Sequence, residues 1–286
     1  MNDNFSCAPV TSRTFISHPK LLAIDLDGTL LHSDHTVSQR TVATLIRAQQ
    51  AGVKVAIASG RPTYGTMPTA KALLLKQYGG FIMSYNGGEI FDCASDTRLF
   101  ATSLEDTVKP TIYNFAKEHH LTLMTYIGNE VVTENGEDEF VRYSSMRNSM
   151  HVHVVNDFLS AAAVPITKCI IVGQPEQLVA VEHDLQEELG NQAEAFRSEP
   201  FFLEIVPCGI DKARGLKELL QATGIAREDC MAFGDGFNDV SMIAYAGIGV
   251  AMGNAQSEVK SQASIVTLTN EEDGVAHVVE KFILKT

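Results

Sequence analysis

Residues 21 to 31 read Leu-Leu-Ala-Ile-Asp-Leu-Asp-Gly-Thr-Leu-Leu, an apolar run that ends in two carboxylates one residue apart. Leu21 to Ile24 have the composition of a strand buried on both faces, and an unpartnered buried carboxylate is costly. Asp25 and Asp27 therefore belong at the mouth of that strand, where something shares them. Gly28 lets the chain turn sharply behind the acids and brings backbone amides close to whatever they hold.

Working outward, the flanking segments repeat one rhythm. "SQRTVATLIRAQQAG" (38–52) has helical spacing, "VKVAIAS" (53–59) is a strand, "TAKALLLKQY" (69–78) a helix and "GFIMSY" (80–85) a strand. The rhythm resumes near the C-terminus, with "DKARGLKELLQATG" (211–224) as helix and "CMAFGD" (230–235) as strand. "NDVSMIAYAG" (238–247) is then a helix and "IGVAM" (248–252) a strand, followed by "SIVTLT" (264–269) and the amphipathic "GVAHVVEKFIL" (274–284). Such alternation specifies an α/β fold: a Rossmann-like parallel-sheet core with helices on both faces. Between the halves, "GEIFDC" and "TRLFATS" form a hairpin. Long helices (105–120, 176–190) are interleaved there with the strands "LTLMTY", "NEVVTEN", "TKCIIVG" and "FFLEIVP". The expected organisation is an N-terminal extension over 1–19, a discontinuous core over 20–87 and 205–286, and an inserted α+β cap domain over 88–204.

The formal charge of −13, from 22 basic and 35 acidic side chains, argues against nucleic acid or an anionic membrane as partner. No apolar stretch approaches the ~18 residues of a membrane span, and residues 1–20 lack the basic-then-apolar form of a secretory signal. Cys7, Cys93, Cys169, Cys208 and Cys230 are odd in number and never in a C-x-x-C pair, which fits free thiols in a reducing compartment. A cytoplasmic protein is expected, with no protein partner implied.

Ligands of doubly wound folds sit at the carboxyl ends of the parallel strands. Asp25 and Asp27 lie at such an end. Ser59-Gly60-Arg61 follows the second strand, Asp235 with Asn238 and Asp239 follows "CMAFG", and Lys212 opens a helix after "FFLEIVPCGI". Alone, each has an ordinary meaning: D-x-D in an acidic chain is usually a solvated loop, "SGR" a turn, and a helix lysine a surface group. D-x-D-G-T directly after an apolar strand, however, arises by chance in roughly one chain of this length in a hundred. Together they suit phosphoryl transfer. Carboxylates from separate elements can hold Mg2+ beside a phosphate, and an aspartate can attack phosphorus to give an aspartyl-phosphate. The acid two positions on can protonate the departing alkoxide and later activate water. Ser59, Lys212, Asn238 and backbone amides can hold the equatorial oxygens.

"DLDGTLL" (25–31), "ASGRP" (58–62), "GIDKARGLKELL" (209–220) and "FGDGFNDVSMIAYAGIGVAMGNA" (233–255) resemble the four motifs of the haloacid dehalogenase superfamily. More narrowly, the chain resembles the Cof-type sugar-phosphate phosphatases, which carry a large cap between the second and third motifs. "YNGGEIFD" (85–92) and "TNEEDGVAHVVEKF" (269–282) extend the likeness over nearly the whole chain from residue 20. The resemblance implies Asp25 as nucleophile and magnesium ligand, and Asp27 as general acid/base that reaches the metal through its backbone carbonyl. It implies Asp235 as the remaining protein ligand of the metal, and Asp239 as holder of a metal-bound water. The Leu26 amide, Ser59, Gly60, Lys212 and Asn238 would bind phosphate. Ser59 stands where threonine is frequent, and Ala213 where glycine often follows the lysine; neither change removes a group the chemistry needs.

The expected activity is Mg-dependent hydrolysis of small phosphomonoesters, sugar phosphates favoured. A small phosphorylated metabolite is the expected partner. Two alternatives use the same aspartate: a phosphomutase, and a non-enzymatic phospho-aspartate signalling module. The signalling module needs neither Asp27 nor a large insert. Weaker signals read as ordinary surface: "HVH" (151–153) as an exposed strand pair without a third metal ligand, and Arg142, Tyr143 and Arg147 as surface side chains of the insert.

Overall fold

The computed structural model describes residues 19–285. The extension expected over 1–19, with Cys7, lies outside the described residues except for Pro19. Strands β1 to β5 cover Leu21–Asp25, Lys54–Ala58, Phe81–Ser84, Glu89–Asp92 and Thr97–Ala101. Strands β6 to β11 cover Thr122–Ile127, Glu130–Thr133, His151–Val154, Cys169–Val172, Ala193–Glu199 and Phe202–Pro207. Strands β12 to β14 cover Cys230–Gly234, Ile248–Ala251 and Ile265–Val266.

The larger sheet runs β14-β13-β12-β1-β2-β3-β4-β5, parallel from β14 to β3 and antiparallel from β3 to β5. Its central strand is the opening LLAID run, every residue of which is buried. Alternation sends Leu22 and Ile24 to one face, with Leu45, Val55, Phe233 and Val275. Leu21 and Ala23 go to the other, with Leu216, Leu219 and Met242. Helices Gln39–Gln50 and Gly274–Val279 cover the first face, and Lys212–Thr223 covers the second. The chain winds from β1 toward β3 on one side and joins β12 to β14 on the other. The strand order therefore reverses beside β1, where a crevice opens at the carboxyl ends.

The smaller sheet runs β10-β11-β9-β6-β7-β8 and is antiparallel apart from β7 with β8. Helices Val108–Glu118 and Pro175–Leu189 pack on one face through Ile112, Phe115, Leu178 and Leu185 against Leu123, Ile171, Leu203 and Ile205. Its other face carries Met124, Tyr126, Ile170 and Phe202, and packs on Tyr85 from the end of β3.

Sheet membership departs from the sequence-based boundaries at both ends of the insert. The hairpin β4-β5 lies within 88–204 yet hydrogen-bonds to β3 and widens the larger sheet. β11, at the other end, runs to Pro207 and pairs with β9. Hairpin and core share an unbroken apolar face, because Ile90 packs with Phe81 and Met83. The helix expected over 69–78 starts earlier, at Thr63, and breaks after Ala72, with a separate turn at Leu75–Tyr78. Leu73 and Leu75 are both fully buried while Leu74 is exposed. A continuous helix would point Leu73 and Leu75 to opposite sides; the left-handed Leu74, at φ 55°, turns both inward. Helix Glu139–Asn148 and strand β10 have no counterpart in the sequence reading, since the first buries few apolar side chains and the second is a polar edge.

Candidate active site

Asp25, Asp27, Ser59, Gly60, Asp235, Asn238 and Asp239 line one cavity of about 520 Å³ at the carboxyl ends of β1, β2 and β12. Lys212 lies beneath it, fully buried at the first turn of its helix, where Asp211 caps the helix through the Arg214 amide. Its ammonium donates to Asp25 Oδ1 and to Asp239 Oδ1, both at 2.5 Å. Asp239 Oδ2 accepts the amides of Asp235, at 3.0 Å, and Gly236, at 2.9 Å, which closes the loop after β12. Leu26 differs from the others: its side chain is in the hydrophobic core and it does not line the cavity, so its backbone amide is all it has to offer a ligand.

Carboxylate oxygens of Asp25, Asp235 and Asp239 lie within 4.8 Å of one another, close enough to share a cation. Asp239 is fully buried, with Oδ1 held by the Lys212 ammonium and Oδ2 by two backbone amides, whereas Asp235 is only partly buried and its Oδ2 meets nothing nearer than Asn254 at 3.4 Å, so Asp25 and Asp235 are the better-placed donors. Thr29 Oγ1 orients Asp235 at 2.8 Å. Asn254 Nδ2 joins the Gly28 carbonyl at 2.8 Å and Asp235 Oδ2 at 3.4 Å. Gly28 is required twice over: its φ is +82°, and a Cβ there would run into the Asp235 carboxylate. Three carboxylates face one ammonium, so the charge and the hard oxygen donors both fit a divalent ion such as Mg2+.

The crowding shows in the proton equilibria. Burial, then the charge of Asp239, push Asp25 well above the ordinary carboxylate range against the pull of Lys212. Burial works against the Lys212 charge, but Asp239 and Asp25 outweigh it and hold the ammonium above its usual value. Asp235 is raised by burial and by Asp239, although Thr29 opposes the shift. Asp27 behaves oppositely. Burial opposes its charge, yet the Arg61 guanidinium holds its carboxyl below the usual range, with Arg147 assisting.

Arg61 grips Asp27 through Nε, at 2.8 Å, and through Nη2, while its Nη1 donates to the Arg147 carbonyl at 3.1 Å. Arg147 comes from the insert, yet its Nη2 lies 3.7 Å from Asp27 Oδ1 and its Nη1 bonds Glu199 at 2.8 Å. The surface reading thus holds for Arg142, paired with exposed Glu137, and fails for Arg147. Tyr143 is 38% exposed and meets Phe201 edge-on. The HVH pair is on exposed β8, with His153 bonded to Glu130 at 2.7 Å. Sequence reasoning also passed over Asn86, whose Oδ1 accepts from Asn238 at 3.1 Å, together with Lys168 and Glu204 in the cavity wall. Asn86 was legible only as part of "YNGGEIFD"; Glu204 is a single charge in the apolar strand β11, and Lys168 stands directly before the apolar strand β9.

Cys93, Cys169, Cys208 and Cys230 are free, and no helix among the described residues is long and apolar enough to cross a membrane. A haloacid dehalogenase-like hydrolase from Bacteroides thetaiotaomicron superposes with a TM-score of 0.90 at 48% identity, covering 92% of this chain and 99% of that one. A structure described as a HAD subclass IIB sugar phosphatase superposes with a TM-score of 0.77 at 25% identity, covering 92% of this chain and 98% of its own. Phosphatase YwpJ of Bacillus subtilis is 32% identical over 295 residues, spanning 92% of this chain and 100% of YwpJ. The sequence profile of the haloacid dehalogenase-like hydrolases matches residues 22–279, and the chain belongs to that family.

Proposed function

We propose that this chain is a phosphatase that hydrolyses small phosphomonoesters, sugar phosphates foremost, through an aspartyl-phosphate on Asp25. The observation that carries the reading is the Asp25, Asp235 and Asp239 cluster around Lys212 at the switch point of the sheet. A family of hydrolases, and the sugar phosphatase named among the similar structures, support the substrate class.

In this reading Asp25, Asp235 and the Asp27 carbonyl hold Mg2+, which when bound offsets the charge of the phosphoryl group. Asp25 attacks phosphorus; the ester oxygen leaves and takes a proton from the Asp27 carboxyl, which the incoming ester has to draw away from Arg61 before it can carry that proton. Asp27 then removes a proton from the water that cleaves the acyl phosphate, which returns Asp25 as carboxylate and releases inorganic phosphate. The Leu26 amide, Ser59, Gly60, Lys212 and Asn238 hold the phosphoryl oxygens, and Asp239 keeps the Lys212 ammonium and the 235–236 amides in place. The β6–β11 sheet with its helices acts as a cap over the leaving group, and the larger sheet, hairpin β4-β5 included, acts as the core.

The test is turnover of phosphate-labelled sugar phosphate with Mg2+, followed by acid quench. Label on the protein during turnover, ending as inorganic phosphate, supports the reading. Label ending in an isomeric ester makes the chain a mutase, and a long-lived labelled protein without turnover makes it a signalling module.

A further inference from the structure

The cavity extends past the acids to the inward face of the smaller sheet. Side chains alternate along β11: Leu203 and Ile205 enter the core beneath the helices, so Glu204 faces the other way, into the cavity. Glu204 is 7% exposed. Its Oε1 accepts Lys168 Nζ at 2.9 Å and the Ser198 hydroxyl at 2.8 Å, whereas among the described residues no hydrogen bond ends on Oε2. Lys168 is itself 4% exposed and donates to the Gly60 carbonyl at 3.1 Å. A carboxylate oxygen that no protein donor takes thus belongs to a residue lining the cavity, one lysine away from the Ser59–Gly60 loop.

The charges around it narrow the ligand. Arg61 faces Asp27, Arg147 faces Glu199 and Lys168 faces Glu204. Arg197, which also lines the cavity, faces Glu182. Each of these cations is already paired, so among the described residues the chamber offers no free positive group for a second anion. What it has in surplus is an acceptor.

We propose that Glu204 is a specificity-determining residue whose Oε2 accepts a hydrogen bond from a hydroxyl of the leaving group. It thereby selects neutral polyol phosphates over esters that carry a second anionic group. Lys168 holds the carboxylate and the Gly60 carbonyl together, which sets the distance between the recognised hydroxyl and the phosphoryl group. The inference rests on the phosphatase reading and names the side chain that chooses among its substrates.

The experiment compares kcat/KM of the wild type and Glu204→Ala on an aldohexose phosphate, its monodeoxy analogues and p-nitrophenyl phosphate, which has no hydroxyl to offer. In the wild type one deoxy analogue is expected to fall by about 10- to 100-fold. In Glu204→Ala the parent sugar falls by a similar factor, and that analogue falls no further. Glu204→Gln, which keeps volume and an acceptor, carries the same comparison with less disturbance of the fold and retains part of the discrimination. Deoxy penalties that persist undiminished in both variants overturn the inference, as does an equal loss on every ester. A wild type that cleaves p-nitrophenyl phosphate without any deoxy penalty overturns this inference alone, whereas no release from any ester overturns the phosphatase reading with it.

Discussion

At the scale of single residues, Asp25 carries a cost in stability that the proposed nucleophile role would explain. Its carboxyl is pushed well above the ordinary range by burial and by Asp239, so carrying its charge at neutral pH weakens the fold. Asp25→Asn removes that charge and the proposed nucleophile together, and Lys212 keeps Asp239 as partner. We expect turnover below about 1% of wild type, with a metal-free unfolding midpoint equal to or above that of wild type. A variant with a lowered midpoint would show that Asp25 is structural. Lys212→Met has the opposite effect: it leaves Asp25 and Asp239 buried without their shared cation. Urea unfolding should register a loss of about 3 kcal/mol. The residues of this centre are the ones the sequence made legible, because each sits directly after an apolar strand or at a helix start. Arg147, Lys168 and Glu204 were not legible. No local pattern separates one arginine on the weakly amphipathic helix Glu139–Asn148, or one charge in or directly before a buried strand, from its surface equivalents.

Among the elements, the core strands and helices were readable because their apolar periodicity is strong. What sequence periodicity could not supply was how distant elements hold each other. Helix Gln39–Gln50 begins at Ser38, whose Oγ accepts the Thr41 amide at 3.0 Å. That hydroxyl in turn donates to Asp273 Oδ1 at 2.5 Å, and Thr41 Oγ1 donates to the same oxygen at 3.0 Å. A residue just ahead of the C-terminal helix therefore orients the cap of the first. Burial opposes the charge of Asp273, but the bonds from Ser38, Thr41 and His32 hold its carboxyl below the usual range. A depressed carboxyl contributes stability above its unfolded value, near pH 4, and loses it as pH falls through the folded one. Asp273→Asn tolerates the left-handed backbone at φ 58°. It should cost about 1 kcal/mol at neutral pH, with a difference from wild type that shrinks toward acid. A difference that is constant from pH 7 to pH 3 would mean the charge plays no part.

For the whole molecule, the decisive fact is that the acidic centre joins ends of the chain that the insert separates. Asp25 closes β1, Asp235 follows β12, and the two strands are neighbours only because the chain departs for the second sheet and returns. Sequence could place each acid at a strand end. It could not show that hairpin β4-β5 stays with the core while β11 stays with the other sheet, since both read as generic apolar strands. The centre is also where repulsion accumulates, with three carboxylates against one lysine. A divalent ion bound there acts on the native state alone, because the unfolded chain holds these acids far apart. Mg2+ at a hundred times its Kd should therefore add about 2.7 kcal/mol to the stability of the fold. That corresponds to a rise in Tm of roughly 4 to 5 °C for a chain of this length. Asp235→Asn removes one of the two better-placed donors, and should abolish that rise together with the Mg2+-dependent activity proposed above. Ser33, whose amide bonds Glu271 at an exposed position, provides the control: Glu271→Gln should keep the rise. Equal Mg2+ shifts in wild type and Asp235→Asn would place the ion elsewhere and remove the electrostatic basis of the site.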